Sequence, residues 1–217
     1  MGNLFRVDGK LMHYGTKLAY LLWLQVLTIL FSLPIITMGA SFSAMHKILL
    51  QIYRDEEGHV TKTFFESFLV NLRQGILLWL IYAVYFGVLI LDCLLAIGST
   101  EPFLRISVYF LPVLAIAGCL SLMWVFPLQS RYENTVLQTI KLSFTMIFFR
   151  PLITVIMAVL TLIPFTLLIL TLYAFPYVVF LGITVPGLLQ AMLYSRIFDH
   201  LEGTNWRKQR AEELQGS

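Results

Sequence analysis

Residues 151–195 read P-L-I-T-V-I-M-A-V-L-T-L-I-P-F-T-L-L-I-L-T-L-Y-A-F-P-Y-V-V-F-L-G-I-T-V-P-G-L-L-Q-A-M-L-Y-S, forty-five residues without one formal charge. A single helix of that length would measure about 68 Å, twice the roughly 30 Å of a bilayer core. The run therefore crosses a membrane twice. The reversal is expected at Tyr173-Ala174-Phe175-Pro176, because the residue before a proline is pushed out of helical geometry. Two crossings return Arg150 and Arg196 to the same side.

The rest of the chain agrees with this reading. Of its 217 residues 59% are hydrophobic and 12% charged, with mean hydropathy +0.82. A soluble domain carries about 25% charged residues; half that number does not cover an aqueous surface, so lipid is the solvent for much of this one. The expected fold class is all-α, one integral membrane bundle of about five transmembrane helices. Its spans fall at about 18–38, 75–98, 106–129, 151–172 and 175–195, with a polar tail over 196–217. The first run has no small-residue cleavage site after it and is read as a retained span.

Between the first two spans lies the largest polar-containing segment, Gly39 to Gly75. In 41–54, Phe42, Met45, Leu49 and Ile52 form a stripe opposite Ser43, His46, Lys47, Gln51 and Arg54. R-D-E-E-G-H reads as a turn, and T-F-F-E (Thr63–Glu66) fits a capping box before a second stripe over 63–74. Residues 131–149 repeat the device. All three are expected to be amphipathic helices lying in the headgroup plane on the cytoplasmic side. A packing helix at the base of the bundle is the ordinary alternative. E-S-F-L-V-N-L-R-Q-G also aligns with L-S-F-T-M-I-F-F-R-P seventy-six residues later, a weak internal repeat.

Positive charge sets the topology. Five spans with the C-terminus inside place eleven Lys and Arg inside and four outside, which satisfies the positive-inside rule except at the N-terminus. The alternative pairs Leu18–Ile36 with Ala40–Tyr53 as a hairpin, which brings the N-terminus inside. It places His46 and Lys47 at membrane depth, which is costly, so the N-out arrangement is preferred here.

Chemistry is sparse. Asp92 is the one ionisable residue embedded in a span. Such a residue marks proton coupling, cation binding or ion pairing; six residues from Gly98, it also suits an interfacial acid facing Arg105. The prolines of the later spans suit a broken-helix cargo path and equally the ordinary composition of membrane helices. Cys93 and Cys119 lie in apolar runs and read as reduced packing residues. The histidines show no zinc-type pairing, and Asp55-Glu56-Glu57 reads as a solvated turn. Phosphate loop, nucleophile elbow and paired acids at depth are all missing, so no enzyme, metal site or cofactor is expected. The net charge of +3 is scattered over span ends, which suits anionic headgroups and not nucleic acid.

The motifs L-L-W-L-Q-V-L-T-I-L-F-S-L-P-I-I-T-M-G-A-S-F-S-A-M and R-D-E-E-G-H-V-T-K-T-F-F-E-S-F-L-V-N-L-R-Q-G resemble the YesL-like family of bacterial integral membrane proteins, defined by a domain of unknown function. The resemblance covers Trp23 to Gly75. It implies about five spans in the cytoplasmic (cell) membrane, mainly of Gram-positive bacteria; the distribution of positive charge puts the 39–75 segment and the C-terminus on the cytoplasmic side. It also implies an accessory role in carbohydrate (oligosaccharide) uptake, with sugar-uptake components as partners; a homo-oligomer is a separate expectation, because five spans are few for a transporter monomer and a second copy supplies the rest. The motif positions Pro34, Gly39, Arg54, Glu56, Glu57, Gly58, Phe65, Asn71 and Gln74 are the candidate docking residues. The competing function is a small secondary transporter or channel, proton-coupled through Asp92.

Overall fold

The computed structural model describes residues 10–56, 58–97, 102–132, 134–171, 173, 175 and 181–201. They are mostly helical, with no strand among the described residues. Helix α1 is Lys10–Ser32, α2 Met38–Arg54, α3 Val60–Ala96, α4 Pro102–Arg131, α5 Val136–Phe149, α6 Pro151–Leu170 and α7 Thr184–Leu201. Among the described residues five stretches are long and apolar enough to cross a membrane: Met12–Ser32, Ile35–Arg54, Val60–Ala96, Ile106–Arg131 and Pro151–Leu170.

The second stretch changes the picture of the 41–54 segment. α2 is the most enclosed helix of the bundle; Ala40, Ala44, Leu49 and Ile52 are fully buried, and so are Ser41 and Ser43. It packs between α1, α3, α4 and α7 instead of lying at the periphery. Pro34 ends α1 by capping a short 3-10 turn, Ile35–Thr37, whose Thr37 hydroxyl donates to the carbonyls of Phe31 and Pro34. The chain then reverses. Lys17 and His13 near the start of α1 both meet Asp55 just past the end of α2, so α1 and α2 form an antiparallel hairpin. The start of α1 therefore shares one end of the bundle with the end of α2, against the preferred N-out arrangement. The desolvation cost that counted against the hairpin is met locally. His46 Nδ1 lies 3.4 Å from the Tyr194 hydroxyl, which also reaches the His46 carbonyl at 3.3 Å, while Lys47 opens into a polar pocket.

α3 corrects a second boundary. Residues 63–74 and 75–98 were expected as separate helices, but α3 runs unbroken through Gly75. At 37 residues it is about 55 Å long. Gly75 opens no new span; it packs against Gly39 of α2, where both backbones approach too closely for a side chain. Thr63 lies inside this helix, which starts at Val60 behind His59 with no side-chain cap. The capping box is instead at Thr135, whose hydroxyl accepts from the Gln138 N–H while the Gln138 side chain accepts from the Thr135 N–H. α5 begins behind it, shorter than the expected 131–149 because α4 continues to Arg131.

α6 ends at Leu170 with extended backbone at Thr171. The break foreseen at 173–176 and much of the 175–195 span lie outside the described residues, as does most of the polar tail. α3, α4 and α6 leave large apolar side chains uncovered, Val84, Phe110 and Leu162 among them; hydrocarbon is the solvent that suits such a surface.

Inside, several polar side chains satisfy one another. Tyr82, Ser121 and Ser143 form a hydroxyl chain at 2.5 and 2.7 Å that ends on the Ile140 carbonyl. Trp124 Nε1 donates to Thr154 Oγ1 at 3.0 Å, and Gln190 donates to Met157 O and Thr161 Oγ1. Gln25 Oε1 accepts from the backbone N–H groups of Ile183 and Thr184 at the start of α7. All but the Ser143–Ile140 bond, which stays within α5, tie one helix to another element, which is how polar residues hold a bundle where apolar packing alone gives no preference over lipid.

Candidate functional site

Where α2 and α4 end, they and the first third of α3 enclose a pocket of about 250 Å³. Local signals build it. α2 stops because Asp55 adopts the left-handed region, φ 56°, a conformation that Asp tolerates better than most residues. The Glu56 N–H then returns to the Gln51 carbonyl at 2.9 Å, the long-range bond of a Schellman turn. This turn sets Arg54 inward and Glu56 at the mouth.

Arg54 is buried, and its guanidinium meets the Asp199 carboxylate of α7 at 2.5 Å. A buried arginine needs such a partner, because an uncompensated charge there costs several kcal/mol. Lys47 stands about two turns up α2, and Arg131 closes the pocket from the end of α4. Asn71 lines the α3 wall, its amide donating to the Ser67 carbonyl at 2.9 Å. Gln129 ties the three helices together: its Oε1 accepts from Ser43 at 2.7 Å and its Nε2 donates to the Asn71 carbonyl at 3.4 Å. The walls thus carry cations, a carboxylate and neutral amides, a mixture suited to recognising a polar partner and lacking an activated nucleophile.

The motif residues divide into groups. Arg54, Glu56 and Asn71 meet in the pocket. Gln74 sits one turn further along α3 and donates to the Asn134 carbonyl at 2.5 Å, holding the α4–α5 connection. Pro34, Gly39 and Phe65 lie away from the pocket, at the α1–α2 turn, at the α2–α3 crossing and beside Phe31. Phe65 packs its ring edge-on to Phe31 at 4.9 Å, in a cluster with Phe64 and Phe68. Gly58 faces open space, and Glu57 lies outside the described residues. Asp92 belongs elsewhere: twenty-one residues along α3 from Asn71, it is about 30 Å away. It accepts a hydrogen bond from Ser107 at 3.2 Å.

Two members of the site were not singled out from the sequence as a pair, Gln129 and Asp199. Gln129 had a signal, an amide at the end of an otherwise apolar span just after Pro127. Asp199 had none, because its partner stands 145 positions away.

Residues 18–93 match the family described as "Protein of unknown function, DUF624", about a third of the chain. The match takes in α1, α2 and most of α3, hence the hairpin, the Gly39–Gly75 crossing and two walls of the pocket. No curated protein and no solved structure matches the chain.

Proposed function

We propose that this protein is a non-enzymatic accessory component of a membrane assembly, docking a partner at the polar end of its bundle. The observation that carries this reading is the convergence of Arg54, Glu56 and Asn71 in one open pocket with Lys47 and Arg131. Several interior polar groups, by contrast, are engaged with one another: Tyr82, Ser121 and Ser143, Trp124 with Thr154, and Gln190 with Met157. The polar end is assigned to the cytoplasmic side of the cell membrane, since Lys17, Lys47, Arg54 and Arg131 gather there and positive charge favours that side. The link to oligosaccharide uptake, and so to sugar-uptake components as partners, rests on the family resemblance alone; self-association belongs to the same reading.

Co-purification after cross-linking in native membranes tests it. Wild-type protein is expected to bring down membrane transport components, and Lys47→Ala with Gln51→Ala to lose them while still inserting. A wild-type protein isolated alone, with a deletion strain that grows normally on oligosaccharides, refutes the proposal.

A second reading, a small proton-coupled carrier, draws on Asp92 and its half-buried carboxylate. Proteoliposomes with Asp92→Asn decide it: proton or sugar flux equal to wild type rules out coupling through this residue.

A further inference from the structure

At the other end of α3, Asp92 lies in a groove of about 410 Å³ between α3 and α4. The groove has a polarity. Asp92 and Ser107 sit near the helix ends, four residues before Ala96 and five after Pro102. Val88 lies one turn deeper on α3, and Phe110, Leu111 and Leu114 continue one to two turns into α4. The walls are apolar apart from the carboxylate and its serine, and Leu114 stands about 10 Å from Ser107 along the helix.

We propose that this groove binds an amphiphilic amine, with its ammonium on Asp92 and its alkyl chain along Val88, Phe110 and Leu114. The volume falls within the range of small-molecule sites, which are mostly apolar with a few polar groups fixing orientation. The sign follows from the carboxylate. One carboxylate and one hydroxyl are too few for calcium or magnesium, which take six or more oxygen ligands. The charged end lies at the rim and the apolar walls run inward, which is the orientation an amphiphile adopts in a bilayer. The shared chemistry is a primary amine on an alkyl body, supplied either by an aminophospholipid headgroup or by a free alkylamine. The inference rests on neither the docking nor the carrier reading.

The test uses the full-length protein in phosphatidylcholine nanodiscs, with empty discs as background and tritiated dodecylamine and dodecanol as probes. Wild type is expected to retain dodecylamine over dodecanol. Asp92→Asn is expected to weaken amine binding roughly tenfold, about 1.4 kcal/mol, and to leave dodecanol unchanged. Leu114→Trp, which fills the groove, is expected to lower amine retention and serves if Asp92→Asn does not assemble. Equal retention of both probes by wild type, or amine retention unchanged in either variant, overturns the proposal. Doping the discs with phosphatidylethanolamine separates the sources: displacement of dodecylamine assigns the site to the headgroup, and lack of displacement assigns it to a free amine.

Discussion

Gly39 and Gly75 meet backbone to backbone where α2 crosses α3. A Cβ on Gly39 would stand 2.3 Å from the Gly75 carbonyl oxygen, and one on Gly75 would stand 2.6 Å from the Ala40 nitrogen. Neither obstacle is a side chain able to turn away, so a methyl group at either position separates two helices. Gly39→Ala and Gly75→Ala are each expected to destabilise by about 1–3 kcal/mol, read as a lower melting temperature in detergent. Gly58→Ala, which meets nothing within 4 Å, is expected to melt like wild type.

The Arg54–Asp199 pair joins α2 to α7, with side chains 7% and 14% exposed. Removing one partner leaves a charge in a poorly hydrated place, so Arg54→Met or Asp199→Leu is expected to cost about 3 kcal/mol. The double variant is expected to recover part of that loss. A double-mutant cycle by thermal unfolding measures the coupling; strictly additive losses would show that the two side chains do not depend on one another.

The two threonines at helix starts separate sequence pattern from structure. Thr135 caps α5 in a reciprocal box, so Thr135→Ala is expected to cost about 1 kcal/mol. Thr63 has the same pattern on paper but lies within α3, and Thr63→Ala is expected to change stability by less than about 0.5 kcal/mol. Melting curves of the two variants side by side settle the comparison.

The α1–α2 hairpin predicts a topology. Cysteines introduced at His13 and Asp55, in a background with Cys93 and Cys119 replaced by serine, are expected to react with an impermeant maleimide from the same side of the membrane. Both native cysteines are exposed, so the replacement is needed for a clean readout. Labelling from opposite sides would restore the N-out arrangement.

Much of this architecture is legible in the sequence because lipid imposes a simple rule. Uncharged runs of twenty residues announce themselves, and Leu18–Met38, Gly75–Gly98 and Pro151–Leu172 each overlap a helix of the structure. The 41–54 segment misled for a physical reason. Its polar residues suggest a helix facing water, yet Ser43 faces Gln129 and His46 faces Tyr194, partners 86 and 148 positions away that no local periodicity reveals. The polar stripe of a helix says that polar company is needed, not whether water or protein supplies it. Gly75 misled in the same way: glycine suggested a break, and its use is a close crossing. Of the candidate site, the R-D-E-E-G turn and Asn71 were visible as motif, while their convergence with Arg131 depended on the tertiary fold.

The unbroken course of α3 has a mechanical consequence. The helix is gripped at Gly75, with about 22 Å of rod toward Val60 and about 32 Å toward Ala96. One arm carries Asn71 in the polar pocket, the other Asp92 in the apolar groove. Further contacts hold both arms, Phe64 and Phe68 against Phe31 on one side and Tyr82 against Ser121 on the other, so the helix acts as one strut between the two sites. The polar pocket and the apolar groove thus sit on opposite arms of a single unbroken helix.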